Sequence, residues 1–372
     1  MRRFIAAGLE TGFGAVIWCL NVLSWLTRRR YRGLRRAMSK GVFRLLLRLE
    51  GPDSLRPSNA AENLDDLIFP IPEKTQGWVL EGICKDLQRH YPGKSSIRHV
   101  NWRLPDARAY FFPHYAIYPR YLEDNPRLWG RKALVWFTHP RRIGMPQEQL
   151  AGYLNHASRI VCMSPTFYPV LKEWGVEEGK LASLIGAADE ELFRPHRRGG
   201  GAVGFCTAYY ERKAPDTVLD IVRSLPHRQF LLLGRNWGSY PRFGELLACG
   251  NFRYAEAPYS DYPGFYAQMD VFVSVSRLEG GPIPLIEAMM SNCVPVASRT
   301  GFAPQIIEDG RNGFLFDVNA PAGTICDLIE RAFSLDLDVS ATARHLNWKA
   351  CAAQLAGIVE TAQEPCRPAG SG

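Results

Sequence analysis

The strongest constraint on this chain is a rhythm: short apolar runs alternate with helix-patterned segments, and the series is run through twice. The first pass goes through LDDLIFPI, which ends in a turn, and GWVLEGICKDLQRHY, with apolar residues at helical spacing. The strand candidates SIRHVNWRL, ARAYFFPHYAIY, KALVWFTH, RIVCMS and LASLIG follow. The second pass goes through AVGFCTAY, a helix over about 215–225, then QFLLLG, NFRYAEA, VFVSVS, PVASR and GFLFDV. Such alternation predicts parallel sheets flanked by helices. Between the passes, residues 193–201 (FRPHRRGGG) concentrate Pro, Arg and Gly, as a hinge does. The expected fold class is therefore α/β, with two Rossmann-like, doubly wound domains facing a cleft, over residues 51–195 and 202–335. Ligand is expected where strand ends meet across that cleft. At 372 residues and 46% hydrophobic content the chain can fill two such cores. A last helix within 336–362, able to cross back to the first domain, and a disordered tail over 363–372 complete the expected layout.

Ahead of the first domain stands an arm, residues 1–50, that holds eleven Lys/Arg against two acids, or +9. Beyond it the balance is 34 basic against 35 acidic residues, so the basic character of the chain belongs to the arm. This argues against a nucleic-acid-binding body and for an arm that meets an anionic surface. Residues 11–27 carry no charge, about the minimum length for crossing a bilayer, and end at Arg28, Arg29 and Arg30. They either span or lie in the interface, with Trp18 and Trp25 suited to it, and no small-residue cleavage site follows. From Arg32 onward Leu34, Met38, Val42, Leu45 and Leu49 form one helical stripe, with Arg32, Arg36, Lys40, Arg44 and Arg48 opposite it. This pattern fits a basic amphipathic helix in an anionic headgroup region, on the cytoplasmic side of a membrane. The alternative is a helix packed on the body with its arginines solvated. The nine cysteines form no C-x-x-C pair or zinc spacing and read as thiols in a reducing compartment.

Chemistry concentrates in SVSRLEGGPIPLIEAMMSNCVPVASRTGFAPQIIEDGRNGFLF. A strand ends, Glu279 follows, Gly280 and Gly281 allow close backbone approach, and Pro282, Ile283 and Pro284 open a helix that carries Glu287. A helix start offers unpaired N–H groups and a positive dipole end to a diphosphate. Glu287, a turn inside, is placed to accept hydrogen bonds from vicinal hydroxyls, and Glu279 is expected to be free to meet a second polyhydroxy group. Two carboxylates bracketing an anion site are what a sugar diphosphonucleoside requires, although paired helical glutamates are more often solvated.

In these residues the chain resembles the group 1 retaining glycosyltransferases of GT-B architecture, whose hallmark is an E-x7-E motif in the donor domain. Three further stretches carry the resemblance in order: MSPTFYPVLKEWGVEEGKLASLIGAADEELFRP, GFCTAYYERKAPDTVLDIV with QFLLLG, and SNCVPVASRTGFAPQIIEDGRNGFLF. The resemblance implies that Glu287 binds the nucleotide ribose, that Glu279 contacts the donor sugar and that Lys213 neutralises the diphosphate. The alternative for Lys213 is a solvated loop lysine. Family members usually carry an arginine about six residues before this lysine; here Thr207 stands there, and Arg212 is the candidate to supply the charge. Pro282 replaces a frequent glycine and removes one backbone donor. In the first domain Gly77 resembles a loop glycine that lies against the donor, although it also suits an ordinary turn. His139 resembles a histidine beside the transferred sugar, with His114 a weaker candidate, and a structural role is open for both. Asp270 and Ser276 match a family pattern and are expected to shape the site. Tyr115, Tyr118, Tyr121 and Trp129 form a cluster that either cradles an acceptor or packs.

The resemblance further implies same-face transfer from a UDP- or GDP-sugar to a glycan or lipid-linked acceptor hydroxyl, with protein charge stabilising the departing phosphate. No cofactor and no essential metal are expected, since no Asp-x-Asp follows a strand in the right setting. Two other functions compete: a sugar-nucleotide epimerase or phosphorylase on the same fold, and a catalytically silent sugar-nucleotide-binding protein tethered to a membrane, which Thr207 favours.

Overall fold

The computed structural model describes residues 2–27, 32–50, 64–75, 77 and 79–363. The chain forms two compact units: unit 1 is Met1–Cys162, Phe167–Ser183 and Ala352–Gly372, and unit 2 is Met163–Thr166 and Leu184–Cys351.

Unit 1 is built on six parallel strands: β1 (Leu67–Pro72), β2 (Ser95–Val100), β3 (Ala109–Phe112), β4 (Lys132–Phe137), β5 (Arg159–Cys162) and β6 (Leu181–Ser183). They are ordered β2-β1-β3-β4-β5-β6. Of the inner strands, β1 and β3 are apolar and wholly buried, as strands covered on both faces must be. The stretch at 107–118, expected as one strand, is extended only over Ala109–Phe112. Pro113 lacks the N–H to continue the ladder, and the chain turns into a helix at Tyr118–Asp124. The last helix, Trp348–Thr361, does supply residues to unit 1. Lys132 Nζ donates to the Val359 carbonyl (3.2 Å) and Arg159 Nη2 to that of Thr361 (3.3 Å), so two cations satisfy carbonyls that a helix end leaves open.

The arm forms two helices, α1 (Arg2–Thr27) and α2 (Arg32–Glu50). Arg28, Arg29 and Arg30 lie outside the described residues, as do residues 51–63 and 364–372. Phe13, Ile17 and Leu20 of α1 pack against Met38 and Val42 of α2. The other face of α2 is buried on the body through Arg35, Ser39, Phe43 and Leu46. The expected division into an apolar stripe and solvated cations is therefore corrected. Arg36 Nη2 donates to the Gly152 carbonyl (2.8 Å), with its guanidinium 4.6 Å from the Tyr153 ring centre, and Lys40 lies 5.6 Å from that of Trp129. Meanwhile Leu34 and Leu45 of the apolar stripe stay exposed. Aromatic faces on the body attract Arg36 and Lys40, which is why these two leave the solvent side while Arg44 and Arg48 stay on it. Ser39 anchors the helix: its hydroxyl donates to the Leu122 carbonyl (2.9 Å) and accepts from Trp129 Nε1 (3.0 Å), fully buried. Ser39→Ala orphans both groups, so urea unfolding should show a loss of about 2 kcal/mol.

Unit 2 holds β7 (Ala202–Cys206), β8 (Gln229–Leu233), β9 (Phe252–Ala255), β10 (Val271–Ser274), β11 (Val294–Ser298) and β12 (Phe314–Phe316), all parallel, ordered β12-β11-β10-β7-β8-β9. The expected hinge at 193–201 belongs inside this unit rather than at its border. Phe193 is buried edge-on against Tyr259 and Tyr266, and Asp270 accepts from the Gly199 and Gly201 amides at 3.0 and 2.6 Å. The eight cysteines among the described residues are free thiols, Cys19 exposed and most others buried.

Candidate functional site

Strand order places β7 beside β10 in unit 2, and their connections leave in opposite directions along the sheet. A crevice at the carboxyl ends of the strands results at such a switch point. Two loops meet there. The loop after β7 carries the turn Glu211–Lys213, and the loop after β10 carries Glu279 and leads into the helix Ile283–Met290. The Arg277 amide donates to the Arg212 carbonyl (2.7 Å) and stitches the loops together.

Glu279 is 5% exposed. Lys213 Nζ is paired with its Oε1, and Arg212 Nη1 reaches its Oε2 at 3.1 Å and the Leu278 carbonyl at 2.8 Å. Thr300 Oγ1 accepts from the Glu279 amide (3.1 Å). Burial opposes ionisation of Glu279, but the charges of Lys213 and Arg212, with hydrogen bonds from Lys213 and Ser276, override it and hold the carboxyl below its ordinary range. Glu279 is thus not free, as expected from spacing, but the anion at the centre of a two-cation clamp. A cavity of about 30 Å³ beside it, lined by Cys206, Thr207, Lys213, Ser276 and Pro282, has room for about one water and none for a sugar.

Glu287 sits on a helix buried nearly all round, between Ile286 and Ala288, and is 2% exposed. Tyr259 Oη donates to its Oε1 (2.7 Å) and Tyr266 Oη to its Oε2 (2.8 Å). Burial raises its pKa to about 7, the two tyrosine hydrogen bonds opposing the rise. Sequence reasoning missed both tyrosines: they lie 28 and 21 positions upstream on a different segment, and no local spacing marks them.

The helix start between the glutamates is poorer in donors than expected. Pro282 and Pro284 have no N–H, the Ile283 amide bonds the Gly281 carbonyl (3.0 Å) and the Leu285 amide that of Pro282 (2.8 Å). The amides of Gly280 and Gly281 have no protein partner among the described residues and remain for an anion. Gly281 is required by close approach, since a Cβ there would lie 2.4 Å from Met163 Cε and 2.7 Å from the Phe302 ring.

Thr207 is committed to structure. Its amide donates to the Leu233 carbonyl (2.9 Å), and its own carbonyl accepts from Trp237 Nε1 (2.8 Å). Ser276 supports Glu279, whereas Asp270 clamps the glycines at 199 and 201 and does not face the carboxylates' loop. Gly77, His114 and His139 belong to unit 1. Gly77 occupies a turn with φ +84, and its amide donates to Glu81 Oε2 (2.6 Å). His139 is half-buried after β4, its carbonyl accepting from Tyr115 Oη (3.2 Å). His114 accepts from the Ala116 amide (3.0 Å), and burial with the Arg141 and His139 charges lowers its pKa to about 4. Tyr115, Tyr118, Tyr121 and Trp129 are core residues rather than an open cradle. No group of three or more His, Cys, Asp or Glu side chains is placed to hold a metal ion among the described residues.

Comparison with known proteins bears on the same segment. The family model described as glycosyl transferases group 1 matches residues 200–331. A D-inositol 3-phosphate glycosyltransferase of Corynebacterium kroppenstedtii is 29% identical over 114 residues, 29% of this chain; the chain spans only a quarter (25%) of that relative's length. Among solved structures, sucrose-phosphate synthase from Thermosynechococcus elongatus is similar with a TM-score of 0.62 at 14% identity, over 80% of this chain and 98% of that one. Anabaena HepE in complex with UDP is similar with a TM-score of 0.63 at 14% identity, over 80% and 100%. The two units therefore have the fold of GT-B glycosyltransferases, and residues 200–331, which carry the clamp around Glu279, match the model of the group 1 glycosyl transferases.

Proposed function

We propose that the chain is a retaining glycosyltransferase that moves a sugar from a nucleotide-diphosphate sugar to a hydroxyl of a glycan or lipid-linked acceptor, at the cytoplasmic face of a membrane and without a metal. The observation that carries this reading is the buried Glu279 held between Lys213 and Arg212 at the switch point of unit 2. Two cations converging on one carboxylate are a stored anion site. A diphosphate arriving beside Gly280 and Gly281 would draw Lys213 and Arg212 to itself and release Glu279 toward the sugar hydroxyls. Arg212 thereby supplies the charge missing at Thr207. Glu287, already receiving two hydroxyl donors, would exchange Tyr259 for the ribose. HepE is described in complexes with UDP and with UDP-glucose, which supports a UDP-sugar as the first donor to test.

A second reading, a silent sugar-nucleotide-binding protein, draws on the same clamp: both cations are engaged by Glu279 and the cavity beside them is small. A panel of sugar nucleotides separates the two. Saturating donor should raise the thermal midpoint by several degrees, since ligand at 100 times its Kd contributes about 2.7 kcal/mol. Donor hydrolysis that vanishes in Glu287→Ala supports the enzyme; binding without turnover supports the silent protein, and no binding by any sugar nucleotide sinks both.

A further inference from the structure

The helix α1 is long and apolar enough, over Ile5–Leu23, to cross a membrane by length and composition. Its surroundings give it a different task. One face is spent inside the protein: Ala6, Phe13, Ile17 and Leu20 are buried, the last three against α2. Glu10, the one charge in residues 5–23, turns to the same side and accepts from Arg127 Nε (2.6 Å), and Arg127 also holds Glu50 at the end of α2 (3.1 Å). Because α2 is itself fastened to the body through Ser39, Arg36 and Phe43, α1 lies along the surface of unit 1 and not away from it.

The outer surface of α1 carries Ile5, Val16 and Leu23 along one flank and Trp18 and Val22 on the side opposite the buried residues, all exposed, Trp18 by 66%. It has no charged residue. Leu34 and Leu45 of α2, also exposed, continue the apolar surface, and the exposed Arg44 and Arg48 lie beyond them. In sequence, Arg2 and Arg3 precede the apolar stretch and Arg28, Arg29 and Arg30 follow it. A charge-free strip bordered by arginines, with tryptophan exposed on it, complements an anionic bilayer surface: hydrocarbon for the strip, headgroup phosphates for its margins.

We propose that α1 enters one leaflet sideways, with its outward face in the hydrocarbon and its inward face still on α2, so that the protein is monotopic and does not span the membrane. This deepens the membrane placement proposed above and rests on it, though not on the transferase reading. Insertion across the bilayer would require α1 to abandon Phe13, Ile17 and Leu20 of its packing and strip Glu10 from Arg127.

The full chain, carrying a protease-cleavable tag ahead of residue 1, is floated with vesicles of phosphatidylcholine alone and of phosphatidylcholine with phosphatidylglycerol. Binding is expected to be stronger to the anionic vesicles, and the tag on vesicles bound from outside should stay fully cleavable. Val16→Glu and Val22→Glu, both at exposed positions, should each lower partitioning at least about tenfold while leaving the thermal midpoint in solution unchanged. A tag protected from protease overturns the monotopic arrangement while leaving membrane binding intact. Failure of the wild-type chain to float with either vesicle overturns membrane placement itself. Undiminished binding by both glutamate variants overturns the assignment of the outward face.

Discussion

Lys213→Ala should reduce nucleotide-sugar turnover by about 10²–10³-fold, the usual consequence of deleting a preorganised charge aimed at a leaving group. The same substitution should destabilise unit 2, because Glu279 is 5% exposed and would lose the cation paired with its Oε1. Breaking a buried pair by removing one partner costs about 3–5 kcal/mol, and here the lower end applies since Arg212 still reaches Oε2 at 3.1 Å. The two effects separate in Lys213→Ala combined with Glu279→Gln. Neutralising Glu279 removes the unpaired buried charge, so urea unfolding should return most of the lost stability while turnover stays low. Should donor hydrolysis recover along with stability, the lysine serves only to keep Glu279 company, and its role toward the diphosphate is wrong.

The second large effect concerns Glu287, whose pKa is raised from 4.5 to about 7, chiefly by burial. Between those two values the folded protein holds a proton that the unfolded chain has released, so stability falls as pH rises through the window. The contribution of the protonated carboxyl is complete below about pH 4.5 and lost above about pH 7, a difference of roughly 3 kcal/mol at 1.36 kcal/mol per unit. Glu287→Gln removes the titrating group and keeps its shape. In denaturation series over this range the variant should lack that slope and should be the more stable protein above pH 7. Donor binding should move the opposite way. Ribose hydroxyls donate best to a carboxylate, so wild-type affinity should weaken below about pH 7, and the glutamine variant should bind weakly at every pH. Calorimetric titrations with a sugar nucleotide across the window check this; a glutamine variant with wild-type affinity would remove Glu287 from the ribose site.

What could be read from the chain in advance follows from how far apart the deciding residues lie. The alternation of VFVSVS with the helix that carries Glu287, and of QFLLLG with its neighbours, is local, so the doubly wound fold was legible. The glycine turn at 280–281 and the spacing of the two glutamates were legible for the same reason. Their partners were not. Lys213 and Arg212 reach Glu279 across 66 and 67 positions, and only the adjacency of β7 and β10 brings them together. The tyrosines on Glu287 come from the segment between β9 and β10, where nothing in AEAPYSDYPGFYAQ marks two of its four aromatic residues as hydrogen-bond donors to a helix. The arm shows the converse: its periodicity was visible, but Arg36 and Lys40 meet the rings of Tyr153 and Trp129 more than a hundred and nearly ninety positions away, which no periodicity contains.

The final helix has a consequence for biogenesis. Because Lys132 and Arg159 wait for carbonyls at Val359 and Thr361, unit 1 is begun first and completed last. Unit 2, whose last residue is Cys351, has all of its chain before the residues that close unit 1 have been synthesised. In chain order the later unit is therefore complete ahead of the earlier one, which stays open until residues 352–361 have been made. A chain stopped just after Cys351 would leave unit 2 complete and deny unit 1, which bears the arm, the helix that seals it.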